Sequence, residues 1–183
     1  MGIDRLQKEE GVLFKFCALP LHDEEIPKEG MDLEEFIGDP FADIHAMIEQ
    51  LRQTAEKEGL SLNNPGRICK TSLAHEARAW AEIEFDLGHN VELAFFHAYF
   101  VRGMNLGDAD QVANIVSDLG LPNFECREAL SRREYRQRVE NDLEKAREKN
   151  VTFAPTFVCG QKKLAGYKPY PELRDFVMDS CSC

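Results

Sequence analysis

The residues that most constrain this fold are Ala154-Pro155, set in the run TFAPTFVCGQKKLAGY from Thr152 to Tyr167. The neighbours Thr, Phe and Val favour strands, but proline offers no ladder N–H and cannot lie inside an ordinary strand. Pro155 therefore starts the strand. A cis Ala154-Pro155 bond would put a tight turn at that entrance and leave the Ala154 backbone open to a visiting peptide. Thr156-Phe157-Val158 reads as a strand, Gly160-Gln161-Lys162 as a hairpin turn, and Lys163-Leu164-Ala165 as the return strand ending at Gly166. A long charged helix, Ser131 to Lys149, precedes this unit, and a last helix near Glu172 to Met178 follows it.

Length and charge narrow the partners. At 183 residues the chain can bury one full core or a core with a sizeable insertion. A net charge of -11 argues against nucleic acid and anionic membrane surfaces as partners. The most apolar run, Val91 to Val101, is interrupted by Glu92 and His97 and is too short to span a bilayer. Met1 to Glu10 has no apolar stretch of the kind a secretory signal carries, so a cytoplasmic location is expected.

The cysteines Cys17, Cys69, Cys126, Cys159, Cys181 and Cys183 include no C-x-x-C pair, and no histidine stands near one at zinc-ligand spacing. No metal site is expected, and most of these are read as buried or inert thiols. Cys159 falls two residues after Phe157, shares its face by the period of a strand, and is read as a buried thiol. Cys181-Ser182-Cys183 is the exception, two thiols one residue apart on a tail expected to be mobile and a candidate auxiliary redox pair. A ring closed within that pair would be strained and easily reduced.

The remaining chain reads in order. Met1 to Glu10 is a helical fragment closed by Gly11, and Val12 to Leu19 is a mostly apolar run read as a buried strand. His22 to Gly30 is an acidic loop. Asp39 and Pro40 cap a helix carrying Phe41, Ile44, Ile48 and Leu51, which runs to Gly59 and the Asn63 to Gly66 loop. A second helix, Ser72 to Leu87, turns Leu73, Ala77, Trp80, Ala81 and Phe85 inward and is stopped by Gly88. An aromatic-rich third covers Val91 to Arg102, Asp108 caps a fourth, and a short one lies near Glu125 to Leu130. Ser131 with Glu134 forms a capping box for the helix to Lys149. Trp80, Phe96, Phe100, Ile115 and Leu143 are expected in the core of this block. His75 and His97 sit among apolar neighbours as packed side chains, with His75 kept as an auxiliary site candidate.

Four stretches together resemble one family: Ala18-Leu19-Pro20-Leu21 with Pro27 to Leu33; Leu73-Ala74-His75 with Trp80-Ala81; Phe96 to Phe100 with Arg102-Gly103 and Asn105-Leu106; and Ala154-Pro155-Thr156-Phe157 with Gly166. The chain is similar to the DsbA-like thioredoxin superfamily, closest to the FrnE-like thiol oxidoreductases. The resemblance implies an α/β, thioredoxin-like fold with a large all-helical insertion. Residues 1–30 and 150–183 form the discontinuous core and 31–149 the insertion. It also implies a disulfide oxidoreductase acting on protein or peptide thiols and disulfides, with glutathione as a redox partner and no other cofactor.

The family's first strand and its Cys-Pro-Trp-Cys type dithiol at the N-terminus of the first long helix have no counterpart here. Met1 to Leu6 resembles the residues just after that dithiol, so the chain is expected to begin inside the active-site helix, to lack an interior strand, and to have native residues upstream. The unfilled sheet position could also support an oligomer. The family's catalytic cysteines are not matched, and Ala154, Pro155 and Thr156 remain as the substrate-binding loop. As it stands the chain is expected to be inactive in exchange. The alternatives are a redox-dead peptide-binding module of the same fold, or a glutathione-dependent isomerase or transferase of the kappa type.

Overall fold

The computed structural model describes residues 2–39, 41–63 and 66–181. Their contacts divide the chain into two compact units, Met1–Leu19 with Asp142–Cys183 and Pro20–Asn141.

In the first unit, α1 (Gly2–Glu10) turns Leu6 fully inward. The unit ends with a two-stranded antiparallel hairpin, β3 (Thr156–Cys159) and β4 (Lys162–Ala165), followed by α9 (Tyr170–Cys181). The register pairs Thr156 with Ala165 and Cys159 with Lys162, which leaves the two-residue turn Gly160-Gln161. Gly160 has φ 59°, a conformation that two-residue hairpin turns demand and that glycine adopts without strain. Leu6, Leu173 and Val177 form the core, with Ile3, Val12, Phe14, Phe157 and Leu164 packed on it. Burying side chains such as Leu6 and Leu173 contributes roughly 1.5–3 kcal/mol each. At the rim, the Arg5 guanidinium lies 3.6 Å over the Tyr170 ring, and the Tyr170 hydroxyl donates to Glu9 at 2.7 Å.

The second unit opens with a small antiparallel ribbon, β1 (Met31–Asp32) against β2 (Arg67–Ile68), which periodicity does not reveal. Two helices lie between those strands, α2 (Leu33–Ile37) and α3 (Ile44–Lys57). The main core is built by α4 (Ser72–Phe85), α5 (Gly88–Phe100), α6 (Ala109–Ser117) and α7 (Asn123–Arg132). It gathers Trp80, Val91, Phe95, Val112, Ile115, Cys126 and Leu130. Helix α8 spans Arg136–Glu148 and is divided between the two units after Asn141.

Several sequence expectations are corrected here. Val12 to Leu19 is extended but joins no ladder among the described residues. Its burial alternates, with Val12, Phe14, Phe16 and Ala18 turned in and Leu13, Lys15 and Cys17 exposed, so one face meets water and the run is not a buried strand. The Ala18 N–H donates to the buried carboxylate of Asp142 at 3.3 Å in place of a neighbouring strand.

Pro40 lies outside the described residues, and the helix expected from Asp39 is capped instead by Asp43, whose carboxylate accepts from the Ala46 N–H at 2.9 Å. Its apolar stripe stays largely outward, with Phe41 94% and Leu51 50% exposed. Gly88 begins α5 and does not stop α4. Asp86 does that, in the left-handed region at φ 58°. Gly88 is small because a Cβ there would come within 2.7 Å of the Glu82 Cβ.

The Ser131–Glu134 capping box does not form, because Ser131 is still inside α7. Arg133 takes φ 55°, and the N–H groups of Arg133 and Glu134 close back on Leu130 and Ala129. Of the expected core residues, Trp80 and Ile115 are buried, Phe100 and Leu143 are partly buried, and Phe96 is 54% exposed. Phe95 and Phe96 are adjacent on one helix, so only one of them can face the core.

Candidate functional site

The strand-entry loop belongs to the first unit and is built by its neighbours on both sides. The Ala154-Pro155 peptide is cis. The Thr156 hydroxyl donates to the Phe153 carbonyl at 2.6 Å, which closes the chain into a short turn ahead of β3. The Gly166 N–H donates to the Pro155 carbonyl at 2.7 Å, so the end of β4 clamps the loop from the other strand. Ala154 and Pro155 are exposed and Thr156 is half-buried. Among the described residues no hydrogen bond occupies the Ala154 N–H or carbonyl. Phe153, next to Ala154 in the chain, is 57% exposed, and Tyr167, next to Gly166, is 50% exposed. Free main chain supplies affinity for an extended segment, and adjacent apolar side chains can select its residues.

The other expected site residues stand elsewhere. His75 is half-buried on α4, in the second unit, whereas the loop belongs to the first. Cys183 and the Cys181 side chain lie outside the described residues. His97, read as a packed histidine, is exposed. Among the described residues no group of three His, Cys, Asp or Glu side chains could hold a metal ion.

The thiols divide by environment. Cys69 and Cys126 are buried and free. Burial pushes the Cys69 thiol up, and it pushes Cys126 up to about 12, so neither supplies thiolate at neutral pH. Cys17 is free and exposed. Cys159, read as a thiol, is disulfide-bonded. Spacing alone could not show that, because a pairing between distant positions leaves no local pattern.

Comparison with known proteins gives the family and the fold. The family model described as DSBA-like thioredoxin domain matches residues 1–177. YwbO, a curated Bacillus subtilis protein, is 30% identical over 119 residues, 63% of this chain and 59% of the relative, so the match spans less than two thirds of that relative. The structure of a probable DsbA oxidoreductase from Streptomyces coelicolor superposes with TM-score 0.85 at 19% identity, covering 99% of this chain and 83% of that one. The cytosolic disulfide reductase DsbM from Pseudomonas aeruginosa, solved with GSH, does so with TM-score 0.56 at 15% identity, covering 78% of each chain. The fold is thus the DsbA-like thioredoxin fold, α/β with a helical insertion. No helix among the described residues is long and apolar enough to cross a membrane.

Proposed function

The chain belongs to the DSBA-like thioredoxin domain family, and from that premise we propose that it takes part in protein thiol-disulfide exchange by holding an extended, cysteine-containing polypeptide along Ala154, Pro155 and Thr156. The observation that supports this reading is the free, exposed Ala154 backbone at the entrance of β3, with exposed Phe153 and Tyr167 next to the loop residues in the chain. Residues 1–183 contain no Cys-x-x-Cys. The role assigned to these residues is recognition of the polypeptide. Within the family we group the chain with the FrnE-like proteins on the four sequence stretches given above. Glutathione as redox partner and a cytoplasmic location belong to the same reading, with DsbM as the analogy for both.

Fluorescence anisotropy with a labelled peptide whose single cysteine is S-methylated tests the binding role. Saturable binding is expected, weakened at least tenfold in Ala154→Pro, which removes the Ala154 N–H, while far-UV circular dichroism matches the parent. Equal binding by both proteins overturns the assignment of the loop. In an insulin assay with dithiothreitol, residues 1–183 are expected not to accelerate reduction. Robust turnover that survives Cys181→Ser and Cys183→Ser would contradict the absence of a family-type reaction.

A further inference from the structure

The second unit carries a cleft of about 420 Å³ between the C-terminal half of α4, one face of α7 and the turn that follows it. That volume suits a small organic ligand. Four aromatic side chains line it, Trp80 and Phe85 from α4, Phe124 from α7, and Tyr135. Trp80 and Phe85 meet edge to face with ring centroids 5.0 Å apart. Phe124, in the first turn of α7, is 73% exposed, a large apolar ring left in water. Positions 124, 128 and 132 recur at intervals of four along α7, so Phe124, Glu128 and Arg132 share the face that lines the cleft. The left-handed Arg133 then turns the chain, and the Tyr135 hydroxyl donates to Glu84 on α4 at 2.7 Å.

The carboxylates Glu84, Glu125, Glu128 and Glu134 line the same cleft against a single guanidinium, that of Arg132, so its charge is negative. Most of these groups already have partners. Arg132 pairs with Glu128 at 2.7 Å and with Glu134 at 3.5 Å, and Glu84 accepts from Tyr135. Burial, and after it the bond to Glu84, pushes the Tyr135 hydroxyl up to about 12, so at neutral pH it stays an uncharged donor. Glu125 has no hydrogen bond or ion pair among the described residues. The Trp80 indole N–H likewise makes no hydrogen bond among them, although the side chain is only 5% exposed. Buried indoles usually have an acceptor, and a carbonyl carried beside a ligand's cation can supply one. The carboxylates do not converge as metal ligands, since among the described residues no three such groups could hold an ion. Carboxylates beside aromatic faces suit an organic cation instead, because the ring quadrupole attracts its charge and the rings pack on its carbon surface.

We propose that this cleft binds an organic cation of the guanidinium or alkylammonium class, with Glu125 as counter-ion and the aromatic side chains as its walls. A planar guanidinium fits best, because it stacks on a ring and still donates in its own plane to a carboxylate. Arg132 shows that carboxylates of this cleft take that group. A free arginine-like molecule and a basic side chain of a polypeptide carry the same chemistry, and the experiment separates them. The site lies wholly within the second unit and does not depend on peptide binding at Ala154-Pro155.

Trp80 is the only tryptophan of the chain, so tryptophan fluorescence reports from the wall of the cleft. The full chain is titrated at pH 7 and low salt with N-acetyl-L-argininamide. A saturable change in emission is expected, weakened about fivefold in Glu125→Gln and in Phe124→Ala. Both positions are exposed, and far-UV circular dichroism is expected to match the parent. N-acetyl-L-citrullinamide, which keeps the shape and loses the charge, is expected to bind at least tenfold more weakly, and added sodium chloride to weaken the arginine probe. An arginine-containing tripeptide with blocked ends identifies the source. Binding at least tenfold tighter than the single residue assigns a polypeptide side chain, and lesser binding assigns a free small molecule. Ala154→Pro is expected to bind the arginine probe as the parent does, so failure here and failure of the loop reading are told apart. The proposal is overturned if the arginine probe gives no saturable change, if the citrulline probe binds as tightly, or if both cleft variants bind as the parent does.

Discussion

Buried charges and thiols in this molecule set measurable behaviour one residue at a time. Glu76 is 1% exposed, and its carboxylate accepts from the Arg133 Nε at 2.9 and 3.0 Å. Removing one partner of a buried pair leaves an uncompensated charge, which costs about 3–5 kcal/mol. Arg133 is itself partly exposed, so Arg133→Ala is expected near the low end of that range in urea unfolding at neutral pH. Arg133→Asn, which suits the left-handed backbone, separates the charge effect from the cap effect. Glu92 shows the opposite electrostatic sense. Burial raises its carboxyl above the ordinary value despite Arg78, whose Nε lies 3.4 Å away. The folded chain then binds a proton more tightly than the unfolded one. This contribution is complete below the ordinary carboxyl range and is lost as pH rises through the raised folded value. Glu92→Gln should therefore match the parent in acid and exceed its stability at neutral pH, and an equal gap at both pH values would contradict this. For the thiols, native alkylation at pH 8 should label Cys17 rapidly and Cys126 only after unfolding, since burial holds Cys126 at about 12.

Elements in the second unit are held by contacts distant in sequence, which explains what the sequence could and could not reveal. The Asp23 carboxylate accepts from the N–H groups of Thr71 at 2.9 Å and Ser72 at 2.8 Å, so α4 is capped by a residue some fifty positions upstream. Loss of a cap costs about 0.5–2 kcal/mol, and Asp23→Ala should lower the unfolding free energy by that amount, read as a lower urea midpoint with the unfolding slope unchanged. Local signals were legible where the bond is local. Asp108 caps α6, accepting from Asp110 and Gln111, as its spacing predicts. The hairpin and its closing glycines were legible for the same reason. Legibility failed where a distant partner decides. The Ser131–Glu134 spacing suits a capping box, yet Arg133 turns its backbone and reaches Glu76 on α4. Likewise Val12 to Leu19 has the composition of a strand, but composition cannot say whether a neighbouring strand is there to pair with it.

At the scale of the whole molecule, the family match over residues 1–177 and the strand-entry loop carry the functional account. The loop was legible because proline in an otherwise strand-forming run admits few backbone solutions, whereas the Cys159 bond depends on tertiary pairing. The central claim is that an extended polypeptide is received at Ala154-Pro155, and amide shift mapping tests it most directly. The isotope-labelled full chain is titrated with an extended peptide carrying an S-methylated cysteine. Perturbations should concentrate at Phe153, Ala154, Thr156, Gly166 and Tyr167 and saturate together. Saturable shifts confined to residues 20–141, or none at the loop at saturating peptide, would contradict the account.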